Sequence, residues 1–97
     1  MDTELNLPPF EALIKEKEGQ SVIFDTIRRK YVALTPEEWV RQHFINFLIA
    51  YKGFPNGLMA VEQKVTINRM SQRVDIVAYN RKGKPILVVE CKVPDVK

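Results

Sequence analysis

From Thr35 onward the apolar positions of the chain follow first one period and then another. Val40, Phe44, Phe47, Leu48 and Tyr51 recur at three- and four-residue steps, the spacing of one face of a helix. The segment before them carries a start signal. Thr35 can cap, Pro36 suits the first helical position, and Glu38 stands where a capping box needs an acid. Gly53, followed by Pro55, marks a stop. One amphipathic helix is predicted over about residues 36–52. The period then shortens to two. Within Leu58–Ile67, Met59, Val61, Val65 and Ile67 alternate with Glu62, Lys64 and Thr66. Val74–Tyr79 and Ile86–Val93 are more continuously apolar, with turns at Asn68–Gln72 and Asn80–Pro85. Upstream, Val22-Ile23-Phe24 and Tyr31–Leu34 read as two strands joined as a hairpin through Asp25–Lys30, and Phe10–Lys17 as a short helix after Pro8-Pro9.

The order is a hairpin, a helix and a three-strand antiparallel meander, which is an α+β fold. The chain has 97 residues, enough for one domain. We divide it into an extension over residues 1–20 and a domain over residues 21–97. The second and third strands of the meander read as buried on both faces, yet one helix covers only one face. A further helix and a strand beyond the last strand, or a partner chain, are expected to close the sheet. An open sheet edge also allows pairing with another copy.

Composition narrows the functional classes. The longest apolar run, Ile86–Val89, is far too short to span a membrane, and Met1–Glu4 lacks the start of a signal peptide. A cytoplasmic protein is expected. The single Cys91 excludes an internal disulfide and a cysteine metal cluster. Charge is unevenly placed. Residues 1–35 hold five Lys/Arg against six Asp/Glu, and residues 36–97 hold ten against six. The positive part suits a polyanionic partner, or equally a solubilising surface.

That same part carries the chemistry. With Lys82-Gly83 at the centre of the last hairpin, Asp75 falls opposite Glu90, and Arg73 opposite Lys92, all on one face. Two carboxylates opposed at the edge of a buried surface repel each other, and a hard divalent cation, Mg²⁺ or Mn²⁺, would resolve the conflict. Such a cation activates water and neutralises charge on phosphate, and Lys92 can orient the water, help deprotonate it or bind a phosphate oxygen. The bland alternative is a hairpin whose charges meet solvent. A one-residue slip of register would also separate the two acids. Arg69 and Arg73 flank the nearby turn and could meet the phosphates of a polyanionic partner. Arg41 could do the same or pair with an acid. Arg81, Lys82 and Lys84 read as a solubilising turn, Glu62 as a solvated side chain, Cys91 as a buried structural thiol and His43 as a packed or surface residue.

Val74-Asp75-Ile76-Val77 followed by Leu87-Val88-Val89-Glu90-Cys91-Lys92 resembles the D…(D/E)-x-K motif of PD-(D/E)XK nucleases. The wider stretch through Thr35-Pro36-Glu37-Glu38-Trp39-Val40-Arg41-Gln42 resembles more specifically the N-terminal nuclease-type domain of type I restriction enzyme R subunits. The resemblance spans about residues 21–97, with Val74 where the superfamily's name has proline. It implies a restriction-endonuclease-like core, DNA as substrate and a Mg²⁺-dependent endonuclease with Asp75, Glu90 and Lys92 at its centre. It also implies that the domain continues past Lys92 with a helix and a strand. A glutamate of the first helix facing the site is a further implication. Glu37, on the expected inward stripe, is favoured over Glu38, which is expected to be engaged in capping. The alternative is a catalytically silent DNA-binding or assembly module of the same fold.

Overall fold

The computed structural model describes residues 7–92. They form one helix and two small antiparallel three-strand sheets, a mixed α+β fold. The first sheet has the order β1 (Ile14–Lys17), β2 (Gln20–Asp25), β3 (Lys30–Ala33). Helix α1 (Pro36–Ala50) follows, then a short 3-10 turn at Asn56–Leu58. The second sheet is the expected meander of β4 (Met59–Ile67), β5 (Met70–Tyr79) and β6 (Pro85–Val89).

The segment Phe10–Lys17, expected as a helix, instead ends in strand β1. Glu18 and Gly19 both take positive φ, which makes the two-residue turn whose twist matches a hairpin, and Lys17 pairs with Gln20 across it. Residues 14–20 therefore belong to the first sheet. The β2–β3 hairpin matches the expectation. Asp25, fully buried, closes its turn by accepting from the N–H groups of Ile27 and Arg28 at 2.7 and 2.8 Å.

Helix α1 begins as its sequence dictates. The Thr35 hydroxyl accepts from Glu38 N–H at 3.0 Å, and Pro36 occupies the first turn. It ends at Ala50, two residues earlier than expected. Gly53 then turns left-handed, and the Phe54 N–H reaches the Leu48 carbonyl at 3.0 Å. Its most buried side differs from the expected stripe. Glu38, Arg41, Gln42, Ile45 and Leu48 are buried, polar in the first half of the helix and apolar in the second, with His43 buried beside them. Phe44 and Phe47 are partly buried, and Tyr51 is largely exposed. Ile45 and Leu48 pack on Met59, Val61, Ile76 and Ala78 of the second sheet. Burying a side chain of this kind contributes roughly 1.5–3 kcal/mol.

The second sheet keeps the expected register at its centre. Ile76 pairs with Val89, Val77 with Val88 and Ala78 with Leu87. Three boundaries differ. Asn68 and Arg69, both at positive φ, form a two-residue turn, so β5 starts at Met70 rather than Val74. The last hairpin is not a simple two-residue turn at Lys82-Gly83. Its loop runs through Asn80–Lys84, where the Asn80 side chain accepts from Lys82 and Lys84 N–H, and a bulge follows, with Tyr79 opposite Pro85. Finally, β6 ends at Val89, so Glu90-Cys91-Lys92 lies beyond the strand. The expected end at Val93 lies outside the described residues. Burial on both faces holds for β5, where Val74, Ile76, Val77 and Ala78 are all buried, but not for β6, whose Ile86 and Val88 are exposed.

Candidate active site

The polar half of α1, the β2–β3 turn and the middle of β4 and β5 converge on a network of arginines and carboxylates. Arg41 is its centre, 2% exposed. Its Nη1 donates to Glu38 Oε1 at 3.0 Å and Glu62 Oε1 at 2.9 Å, and its Nη2 to Glu37 Oε1 at 2.9 Å and Asp75 Oδ1 at 3.3 Å. Arg28 lies alongside. Its Nε meets Asp25 Oδ2 at 2.6 Å, Nη2 meets Glu38 Oε1 at 2.8 Å and Nη1 meets Glu62 Oε1 at 2.9 Å. Gln42 donates to the second oxygen of Glu38 at 2.8 Å, and Arg73 to the second oxygen of Glu62 at 2.7 Å. Buried charges survive only when paired in this way. Burial works against both guanidinium charges, yet the facing carboxylates, Glu38 foremost, outweigh it and hold the Arg28 and Arg41 pKa values above the ordinary arginine value. Among buried side-chain atoms, Arg41 Nε has no hydrogen-bond partner among the described residues.

Glu62 is the member that strand alternation hid. It is exposed, as expected, but it is not free. It accepts from three arginines, and hydrogen bonds from Arg73 and then Arg41 hold its pKa down at about 2. Its φ of 50° puts a left-handed residue inside a strand, a conformation that costs free energy and bends the pleat. The ladder pairs Val61 with Ile76 and Gln63 with Val74 but skips Glu62 and Asp75 between them. Glu62 gave no sign of this in the sequence, because it falls in the polar phase of β4. Arg28 gave none either: Asp25 is three residues away in the same turn, but Glu38 and Glu62 lie on other elements.

The residues singled out from the sequence divide into two groups. Asp75 and Glu37 are brought together by the one Arg41 nitrogen that touches both. Glu38 is the buried glutamate of the pair and Glu37 the more exposed, with side-chain exposures of 8% and 55%. This reverses the expected inward face. Glu38 also does not return its carboxylate to the cap, because Arg28, Arg41 and Gln42 take it. Arg41, for which phosphate and acid partners were both open, is committed to acids. Glu90 and Lys92 are exposed and outside the network. Glu90 borders an open apolar cleft beside Phe44, Phe47 and Phe54. The chain around them is nonetheless fixed to Asp75, because Cys91 N–H donates to Asp75 Oδ2 at 2.6 Å. The peptide linking Glu90 to Cys91 thus touches the Asp75 carboxylate. The Cys91 thiol is half-buried, and burial, reinforced by the Asp75 charge, pushes its pKa up to about 11. Arg73 and Arg69 are exposed on the β4–β5 hairpin. His43 is packed, with Nδ1 2.9 Å from the Trp39 carbonyl oxygen and its ring edge-on to Phe10. Among the described residues, no group of three or more His, Cys, Asp or Glu side chains is arranged to hold a metal.

Residues 36–97 match the family model described as type I restriction enzyme R protein N terminus. The chain belongs to this family. The match starts at the first residue of α1 and takes in the second sheet and every acid of the network except Asp25. No curated protein and no solved structure matches the chain. Among the described residues, no helix is long and apolar enough to cross a membrane.

Proposed function

We propose that this restriction-family domain is a Mg²⁺-dependent endonuclease that hydrolyses DNA phosphodiester bonds at Asp75, Glu90 and Lys92. The observation that carries the reading is the bond from Cys91 N–H to Asp75 Oδ2, which ties the Glu90-Cys91-Lys92 tripeptide to the Asp75 carboxylate. The donor set suits the ion. Mg²⁺ binds through one or two carboxylates and keeps several waters, so it does not require three protein ligands. Asp75 and Glu90 would hold it, with Glu37 supporting from α1; Mn²⁺ can substitute. Bound there, it would supply a Lewis acid toward phosphate and a more acidic water. The chain's own residues do the rest. Asp75 is oriented by Cys91 N–H on one oxygen and by Arg41 on the other. Lys92, exposed, donates from Nζ to a phosphate oxygen or to the attacking water.

A second reading, a DNA-binding or assembly module without turnover, has one observation in its favour. Arg41 already neutralises Glu37 and Asp75 from within. Calorimetric titration with Mn²⁺ and a plasmid-nicking assay in Mg²⁺ separate the two. The endonuclease binds Mn²⁺ and nicks, and Asp75→Asn and Glu90→Gln each abolish both while the circular dichroism spectrum is unchanged. A wild-type chain that binds DNA but neither takes up Mn²⁺ nor nicks is the silent module.

A further inference from the structure

We infer that the free end of the β4–β5 hairpin is the element that contacts duplex DNA, through the face bearing Lys64, Thr66, Ser71 and Arg73 and the turn residue Arg69. The inference rests on the DNA reading above and names the surface and the form of the partner. β6 pairs with β5 only from Ile76 onward, so residues 63–74 continue as a two-stranded ribbon that the third strand does not reach. Five residues of β4 along this stretch extend about 17 Å. A two-stranded ribbon of that kind fits the major groove of B-DNA, about 12 Å wide.

The two faces of the ribbon differ in chemistry. Lys64 lies directly across from Arg73, and Thr66 across from Ser71. All four are exposed, and Arg73 has a side-chain exposure of 69%. The opposite face carries Val65 and Val74, buried, and Ile67, partly buried, together with the exposed Gln63, Met70 and Gln72. One face is thus partly apolar, its valines packed among residues of β4 and β5 themselves, and the other presents two cations and two hydroxyls outward. Directly opposed like charges destabilise a ladder. Glu62 relieves only Arg73, from the side, and among the described residues neither Lys64 nor Arg69 has an ion pair. A row of phosphates would relieve the remainder. Residues 62–73 contain no aromatic side chain, whereas surfaces for single strands offer rings on which bases stack. The chemistry therefore favours the regular phosphate spacing of a duplex. The other basic loop, Arg81 to Lys84, is a closed turn tied by Asn80, with no strand pair aligning its cations.

The test is fluorescence anisotropy of the full chain with a labelled 20-base-pair duplex at several salt concentrations, with EDTA present so that cleavage plays no part. Each phosphate contact contributes about 0.9 to the slope of log affinity against log salt. The triple variant Lys64→Gln/Arg69→Gln/Arg73→Gln is expected to bind about tenfold or more weakly and to lose about 3 from that slope. The matching variant Arg81→Gln/Lys82→Gln/Lys84→Gln is expected to bind as wild type does, and the corresponding single strand to bind more weakly than the duplex. Because Arg73 also holds Glu62, Arg69→Gln alone is measured too, and it should lose about 0.9 from the slope. Wild-type affinity in the ribbon variant, an equal loss in the Arg81–Lys84 variant, or preference for the single strand would overturn the inference. Duplex binding through the ribbon without any nicking in Mg²⁺ would sink only the endonuclease reading.

Discussion

Arg41→Met tests whether the ion network holds the fold together. Methionine keeps much of the side-chain length and removes the charge. Four carboxylates then lose a partner, but unequally. Glu38 keeps Arg28 and Gln42, and Glu62 keeps Arg28 and Arg73. Glu37 is half in water and loses little. Asp75 keeps only the Cys91 N–H. Removing one member of a buried ion pair costs about 3–5 kcal/mol. Since two of the four acids retain other arginines, we expect the low end, about 3 kcal/mol. At roughly 4–8 °C per kcal/mol for a chain of this size, the midpoint should fall by about 12–24 °C. Urea denaturation measures the free-energy loss and a thermal melt the midpoint, both followed by far-ultraviolet circular dichroism. The double variant Arg41→Met/Glu38→Gln should recover at least about 1 kcal/mol of the loss, the mark of direct coupling. A single variant within about 1 kcal/mol of wild type would refute the reasoning, because a surface-like pair is worth no more than that.

Other variants probe other parts of the molecule. Glu62, held down at about 2, contributes stability that is present above its unfolded value and fades as pH falls through about 2. The advantage of wild type over Glu62→Gln should therefore be full at pH 6 and shrink between about pH 4.3 and 2, which paired urea titrations would show; an advantage constant with pH would be the wrong outcome. The Cys91 thiol, raised to about 11, should react slowly with iodoacetamide at pH 8, and Asp75→Asn should speed it by removing a neighbouring negative charge; no change in rate would contradict that influence. Arg69, at φ 66°, sits where glycine is preferred, so Arg69→Gly should raise stability by roughly 0.5–1 kcal/mol in urea while lowering duplex affinity.

What the sequence made legible was local. Thr35, Pro36 and Gly53 act within a turn of the residues they signal, so the helix stands nearly where its caps place it. The centre of the last sheet followed from a hairpin because register propagates along a ladder, and Ile76 opposite Val89 confirmed it despite the bulge near the turn. Strand β1 was misread because Ile14-Lys15-Glu16-Lys17 has no alternating apolar face and its lysines and glutamate suit a helix. Pairing with β2 decides it instead, through the turn at Glu18-Gly19. The buried side of α1 was misread for the opposite reason. Apolar periodicity finds Phe44 and Phe47, but the innermost positions of the first turns are Glu38, Arg41 and Gln42, which burial of ions selects and hydrophobicity does not. Their partners Arg28, Glu62 and Asp75 lie up to 34 residues away in the chain, so nothing within one element announces them.

The first sheet shares no strand pair with the second. Arg28 bridges them, from a turn of the first sheet to α1 and to Glu62 of the second. The seam between the two halves is therefore partly ionic, with Ile27 adding an apolar contact to the helix side. Salt weakens exposed ion pairs and leaves buried ones largely intact. The two ends of the Arg28 bridge therefore differ: its contact with Glu62, whose side chain is 38% exposed, is open to screening, while its contacts with the buried Asp25 and Glu38 are sheltered.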